Sequence, residues 1–133
     1  MRFGDLAGLT SLPIERVQHR FRHEEVLTVL PASGPVADRA SLLVATPSQL
    51  AILTADADPA SHQWMTHWAT WDTVRLADDG AVAAATEEET YGLTVQVGGL
   101  TFHARLWGPT GQRALRDFVV VAQARQTALA PSP

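Results

Sequence analysis

The chain has 133 residues, 46% of them hydrophobic and 18% charged, with a formal net charge of -4; this ordinary globular balance excludes a disordered chain, and the length suits one domain. A negative molecule is a poor partner for nucleic acid or for anionic membrane, because both are held by basic side chains. With no cysteine, disulfide frameworks, thiolate nucleophiles and cysteine metal sites are excluded.

The opening residues, MRFGDLAGLTSLP, lack the continuous apolar segment and the small-residue cleavage site of a signal peptide. No run approaches the roughly 20 apolar residues that span a bilayer, so a cytoplasmic protein is expected. Residues 1–23 read as an N-terminal extension with a short helix around Ile14 to His19, after Pro13. Three short β-prone runs follow: Glu25 to Leu30, Ser41 to Thr46 and Gln49 to Thr54. They are separated by PASGPVADRA and by Pro47-Ser48, both of turn composition.

The next segment, HQWMTHWATW from His62 to Trp71, holds three of the four tryptophans. Trp64, Trp68 and Trp71 stand at i, i+4 and i+7, the spacing of one helix face. The β-branched Thr66, Thr70, Thr73 and Val74 favour a strand over that helix. As a strand, Trp64 and Trp68 share a face with Thr66, while Met65, His67 and Ala69 share the other. Further strands are predicted at Thr73 to Ala77 and Ala81 to Thr86, with Asp78-Asp79-Gly80 as the turn between them and Glu87-Glu88-Glu89 as a solvated loop.

Tyr91 to Val97 and Leu100 to Trp107 alternate apolar and polar residues around Gly98-Gly99, the pattern of a hairpin whose turn needs positive φ. That turn pairs Val97 with Leu100, Val95 with Phe102, Leu93 with Ala104 and Tyr91 with Leu106 on one face. Thr94, Gln96, Thr101, His103 and Arg105 face the other way, with His103 opposite Thr94 and one side of the sheet wet. After Gly108-Pro109 the period becomes helical. Thr110 is the expected cap, Leu115, Phe118, Val119 and Ala122 line one side, and Val120 and Val121 widen it. Thr127 to Pro133 reads as a frayed tail.

The order EEVLTVLPAS, SLLVATPSQLAIL, HWATWDTVRLADDG, YGLTVQVGGLTFHARLW and a final helix GQRALRDFVVVAQAR resembles the bacterial pleckstrin-homology-like domains, related in fold to GRAM domains. The resemblance spans roughly Glu24 to Arg125 and is closest at Leu43 to Thr46 leading into Leu50 to Leu53, and at Trp71 to Leu76. It implies a mainly β domain over residues 24–126, a seven-stranded antiparallel barrel or sandwich capped by one C-terminal helix. It also implies a non-catalytic module that is often oligomeric. Two departures stand out. The first hairpin loop offers only Arg39, beside Asp38, where phosphoinositide-binding members carry several basic residues, so headgroup binding is not expected. The final helix lacks a tryptophan, and Phe118 is placed to fill that packing role.

The expected function is accordingly a protein-interaction module with no catalytic residues, cofactor or metal. It would act through a protein partner or as a homo-oligomer, with Trp64, Trp68, Trp107, Val120 and Val121 as candidate contact residues. Three close tryptophans are read first as packing, with Trp64 or Trp107 the expected exposed members. Arg16, Arg20 and Arg22 form the one local basic cluster, although Glu15, Glu24 and Glu25 flank it and favour a solvated charged face. His19 and His23, four apart, match zinc-helix spacing, but Arg20 stands where a catalytic Glu would be. His62 and His67, five apart, cannot meet at one ion. The alternative function is a small apolar-ligand carrier with a helix-grip cavity lined by Trp68, Phe102 and Leu115.

Overall fold

The computed structural model describes residue 3 and residues 14–34, 40–55, 64–78 and 90–129, apart from the side chains of Ala55, Trp64, Asp78 and Leu129. The predicted strand at Ala81 to Thr86, the run Glu87 to Glu89, His62 and Arg39 lie outside them. In chain order the elements are α1 (Ile14–Arg20), β1 (Thr28–Ser33), β2 (Ala40–Ala45), β3 (Gln49–Ala55), β4 (Trp64–Thr70), a 3₁₀ turn (Trp71–Thr73), β5 (Val74–Asp78), β6 (Thr90–Val97), β7 (Leu100–Trp107) and α2 (Gly108–Leu129). The seven strands form one antiparallel sheet, ordered β4-β3-β2-β1-β7-β6-β5, curled into a half-barrel with α2 as its C-terminal helix.

The hairpin register is the expected one: Val97↔Leu100, Val95↔Phe102, Leu93↔Ala104 and Tyr91↔Leu106. Only the first turn glycine is left-handed, Gly98 at φ +60°. On the polar face the Thr94 hydroxyl and His103 Nδ1 meet at 3.2 Å across the strands. The segment 64–70 is a strand, as its β-branched threonines predict, and Trp71 leaves it into the 3₁₀ turn.

β1 begins and ends later than expected, running through Pro31 to Ser33. A proline has no N–H to give a ladder and is tolerated where pairing is weak. Here β1 pairs continuously with β2, yet it meets β7 in one registered pair, Ser33↔His103, so the sheet curls at a thinly bonded seam. The helix boundaries also differ. β7 passes straight into α2 through Gly108 at φ +71°; this left-handed residue turns the chain, so Thr110 lies inside the helix and does not cap it. At the other end Thr127, Ala128 and Leu129 are helical, which shortens the expected tail.

The main core lies between α2 and the sheet. Leu30, Leu43, Ala45, Leu50, Ile52, Ala69, Trp71, Val74 and the inward residues of β6 and β7 pack there against Ala114, Leu115, Phe118 and Ala122. A second core occupies the opposite face of β1–β3, where Phe3, Val17 and Phe21 cover Val29, Leu42, Val44, Ala51 and Leu53. One wet face therefore holds for the β6–β7 hairpin, whose outward Gln96, His103 and Arg105 are exposed. It fails for β1–β3, where α1 and Phe3 close the other side.

Helix α2 lies close against β7 at the buried Gly111. A Cβ there would sit 2.8 Å from Leu106 Cβ and 3.1 Å from its carbonyl carbon, which is backbone and cannot rotate away. Gly111→Ala should therefore destabilise the fold by about 1–3 kcal/mol, even though alanine suits a helix interior better than glycine. Thermal unfolding checks this; a raised midpoint would show that helix and strand have room to part.

Candidate functional site

A surface cleft of about 390 Å³ is lined by Glu24, Glu25, Thr46, Pro47, Ser48, Gln49 and Trp68. Three separate parts of the chain build it. The turn after α1 brings Glu24 and Glu25, fixed in part by a hydrogen bond from Glu24 N–H to the Phe21 carbonyl at 3.0 Å. The β2–β3 turn supplies the base, closed by three bonds between two residues: Thr46 N–H to Gln49 O (3.0 Å), Thr46 Oγ1 to Gln49 O (2.7 Å) and Gln49 N–H to Thr46 Oγ1 (3.2 Å). Strand β4 presents Trp68.

The two tryptophans near this cleft have opposite duties. Trp71 is completely buried, its ring 6.3 Å from that of Phe118, and its indole N–H donates to the Thr46 carbonyl at 3.0 Å. It ties the cleft's base to the main core. Trp68, paired with Ala51 in register, lies on the α1 face; its ring packs 6.1 Å from Phe21 while 42% of the residue stays exposed.

The remaining candidates scatter. Trp107, at the end of β7, is 52% exposed, and Val120, on the outer side of α2, is 65% exposed. Val121 is half-buried against the main core and contributes to packing. Trp64 lies in β4 by its backbone. Arg16 is exposed on α1, but Arg20 is engaged with Thr66 Oγ1 of β4 at 2.7 Å, and Arg22 Nε donates to His23 Nε2 at 3.0 Å. Arg20 thereby fastens α1 to the sheet. His19 and His23 do not share a helix, because α1 ends at Arg20 and His23 falls in the turn beyond it. Among the described residues no group of three or more His, Asp or Glu side chains is placed to hold a metal ion.

No family model, curated protein or solved structure matches the chain. The site therefore has to be read from its own chemistry. Among the described residues its lining holds two exposed carboxylates, two hydroxyls, a carboxamide, a proline and an indole, with no basic side chain. Such a surface accepts hydrogen bonds and favours positive charge. The cavity imagined for an apolar ligand does not form around Trp68, Phe102 and Leu115: the last two are buried in the α2-face core, and Trp68 is across the sheet from them. Among the described residues no helix is long and apolar enough to cross a membrane.

The sequence reading missed Phe21, Gln126 and Met65 as residues of consequence. Phe21 docks α1, whereas Gln126 Nε2 donates to the carbonyls of Trp71 and Val74 and pins the end of α2 to the corner between β4 and β5. Met65 is 65% exposed on β4. Only Met65 left a signal in the alternation of that strand, through its place on the face opposite Trp68.

Proposed function

We propose that this chain is a non-catalytic interaction module of the pleckstrin-homology-like kind, acting in the cytoplasm through protein–protein contacts that include self-association. The observation that carries the reading is the exposure of Trp107: 52% of a large, mostly apolar side chain remains in water at the end of β7. Tryptophan is the side chain most enriched among residues that dominate binding energy, and burying its exposed half against a partner recovers a large apolar area. Val120 adds a branched apolar side chain on α2, 65% exposed, among the exposed Arg113, Arg116 and Gln123.

Native mass spectrometry over a dilution series tests this reading. The expected result is a homo-oligomer whose dissociation constant rises roughly thirtyfold in Trp107→Ala, as for the loss of a central contact residue. Val120→Glu should weaken it further by placing a carboxylate in an apolar contact. A wild-type chain that stays monomeric at every concentration overturns the self-association.

A further inference from the structure

The cleft beside Trp68 has a chemistry that points to one kind of occupant. Its acidic side chains, Glu24 and Glu25, are both exposed and adjoin the indole of Trp68 and the polar turn Ser48-Gln49. Among the described residues neither glutamate side chain has a hydrogen-bond or ion-pair partner. The nearby cations in sequence are placed otherwise: Arg20 is held by Thr66 and Arg22 by His23, and neither lines the cleft. An indole face beside unneutralised carboxylates attracts a cation twice over, through the ring's quadrupole and through charge.

We propose that this cleft receives an arginine side chain from a basic segment of a partner protein. The inference rests on the reading of the chain as a protein-interaction module and supplies the chemistry of one of its partners. Arginine fits better than lysine because its planar guanidinium stacks on an aromatic face while its fork of N–H donors engages a carboxylate. The volume, about 390 Å³, is near the low end of the roughly 300–1,000 Å³ typical of ligand pockets, which suits one side chain better than a folded ligand. The net charge of -4 draws a basic segment toward the molecule before contact is made. Rigidity helps as well, since the base of the cleft is locked by the Thr46–Gln49 bonds and anchored through Trp71.

The test is an NMR titration of the full chain with the capped pentapeptide Gly-Arg-Gly-Arg-Gly. The control is the same peptide carrying citrulline, the uncharged counterpart, at both arginine positions. The expected result is saturable movement of the Ser48 and Gln49 amides and the Trp68 indole N–H. Binding should fall about tenfold or more with citrulline, in the E24Q/E25Q double variant and in 0.5 M salt. Both glutamates are exposed, so that variant keeps its fold; Trp68→Ala, which loosens Phe21, is the confirming change and is judged only where its hairpin resonances match wild type. Movement that is absent, or indifferent to E24Q/E25Q, overturns the proposal. So does movement of the same signals on simple dilution without peptide, since the occupant would then be a second copy. Because Trp107 and Val120 do not line the cleft, a failed titration leaves the native-mass result standing, and a monomeric mass leaves the titration interpretable.

Discussion

Replacing Trp71 by alanine should cost about 3–5 kcal/mol, as expected for emptying a large buried aromatic site. That loss is a large part of the roughly 5–15 kcal/mol that holds a domain together. The residue is fully buried and packs on Phe118. Its N–H is the side-chain partner of the Thr46 carbonyl, and its own carbonyl accepts from Gln126. Alanine would open a cavity between the 3₁₀ turn and α2 and would leave the Thr46 carbonyl without its indole donor. Trp71→Phe separates the two contributions. It keeps most of the ring but loses the hydrogen bond, so about 1–3 kcal/mol is expected for the orphaned acceptor, with some packing loss besides. Urea unfolding followed by far-ultraviolet circular dichroism gives both values. Equal losses in the two variants would mean the hydrogen bond carries the site; a near-wild-type Trp71→Ala would contradict the burial of this ring.

That residue also shows where sequence pattern informs and where it misleads. The spacing of Trp64, Trp68 and Trp71 imitates a helix face, and only the β-branched threonines between them argue for the strand that forms. The hairpin was legible down to its register because a period of two and a Gly-Gly turn leave one arrangement that keeps the faces separate. Phe118, expected to fill a packing role in the final helix, is buried and meets Trp71. The second core was only half legible. Apolar runs such as Leu42-Leu43-Val44-Ala45 and Leu50-Ala51-Ile52-Leu53 do not alternate, which is the signature of strands buried on both faces. What covers the second face is a long-range fact that local pattern does not contain. The cleft is harder still to foresee: Glu24 and Glu25 read as solvated flanks until three distant segments are brought together. The start of α2 was misplaced for a local reason, the left-handed Gly108, whose φ follows from the direct passage of a strand into a helix.

Removing residues 1–23 should turn a stable domain into an aggregating one, despite leaving the whole sheet and α2 in place. Phe21 is 3% exposed and sits between Phe3, at 6.4 Å, and Trp68, at 6.1 Å; with Val17 it covers Val29, Leu42, Val44, Ala51 and Leu53. Stripping that cover exposes a contiguous apolar sheet face, and such a face associates with whatever can hide it. The single substitution Phe21→Ala keeps the chain length and isolates the docking energy, for which about 3–5 kcal/mol of destabilisation is expected. Arg20→Ala, which removes only the exposed bond to Thr66, should cost well under half as much. Sedimentation of the truncated chain and urea unfolding of the two variants decide the matter. A truncated chain as monomeric and as stable as the full one would make residues 24–126 a self-sufficient domain and residues 1–23 a mere extension. Loss of solubility together with a costly Phe21→Ala would instead make α1 part of the fold, and would make the cleft edge it supports a built feature of the same domain.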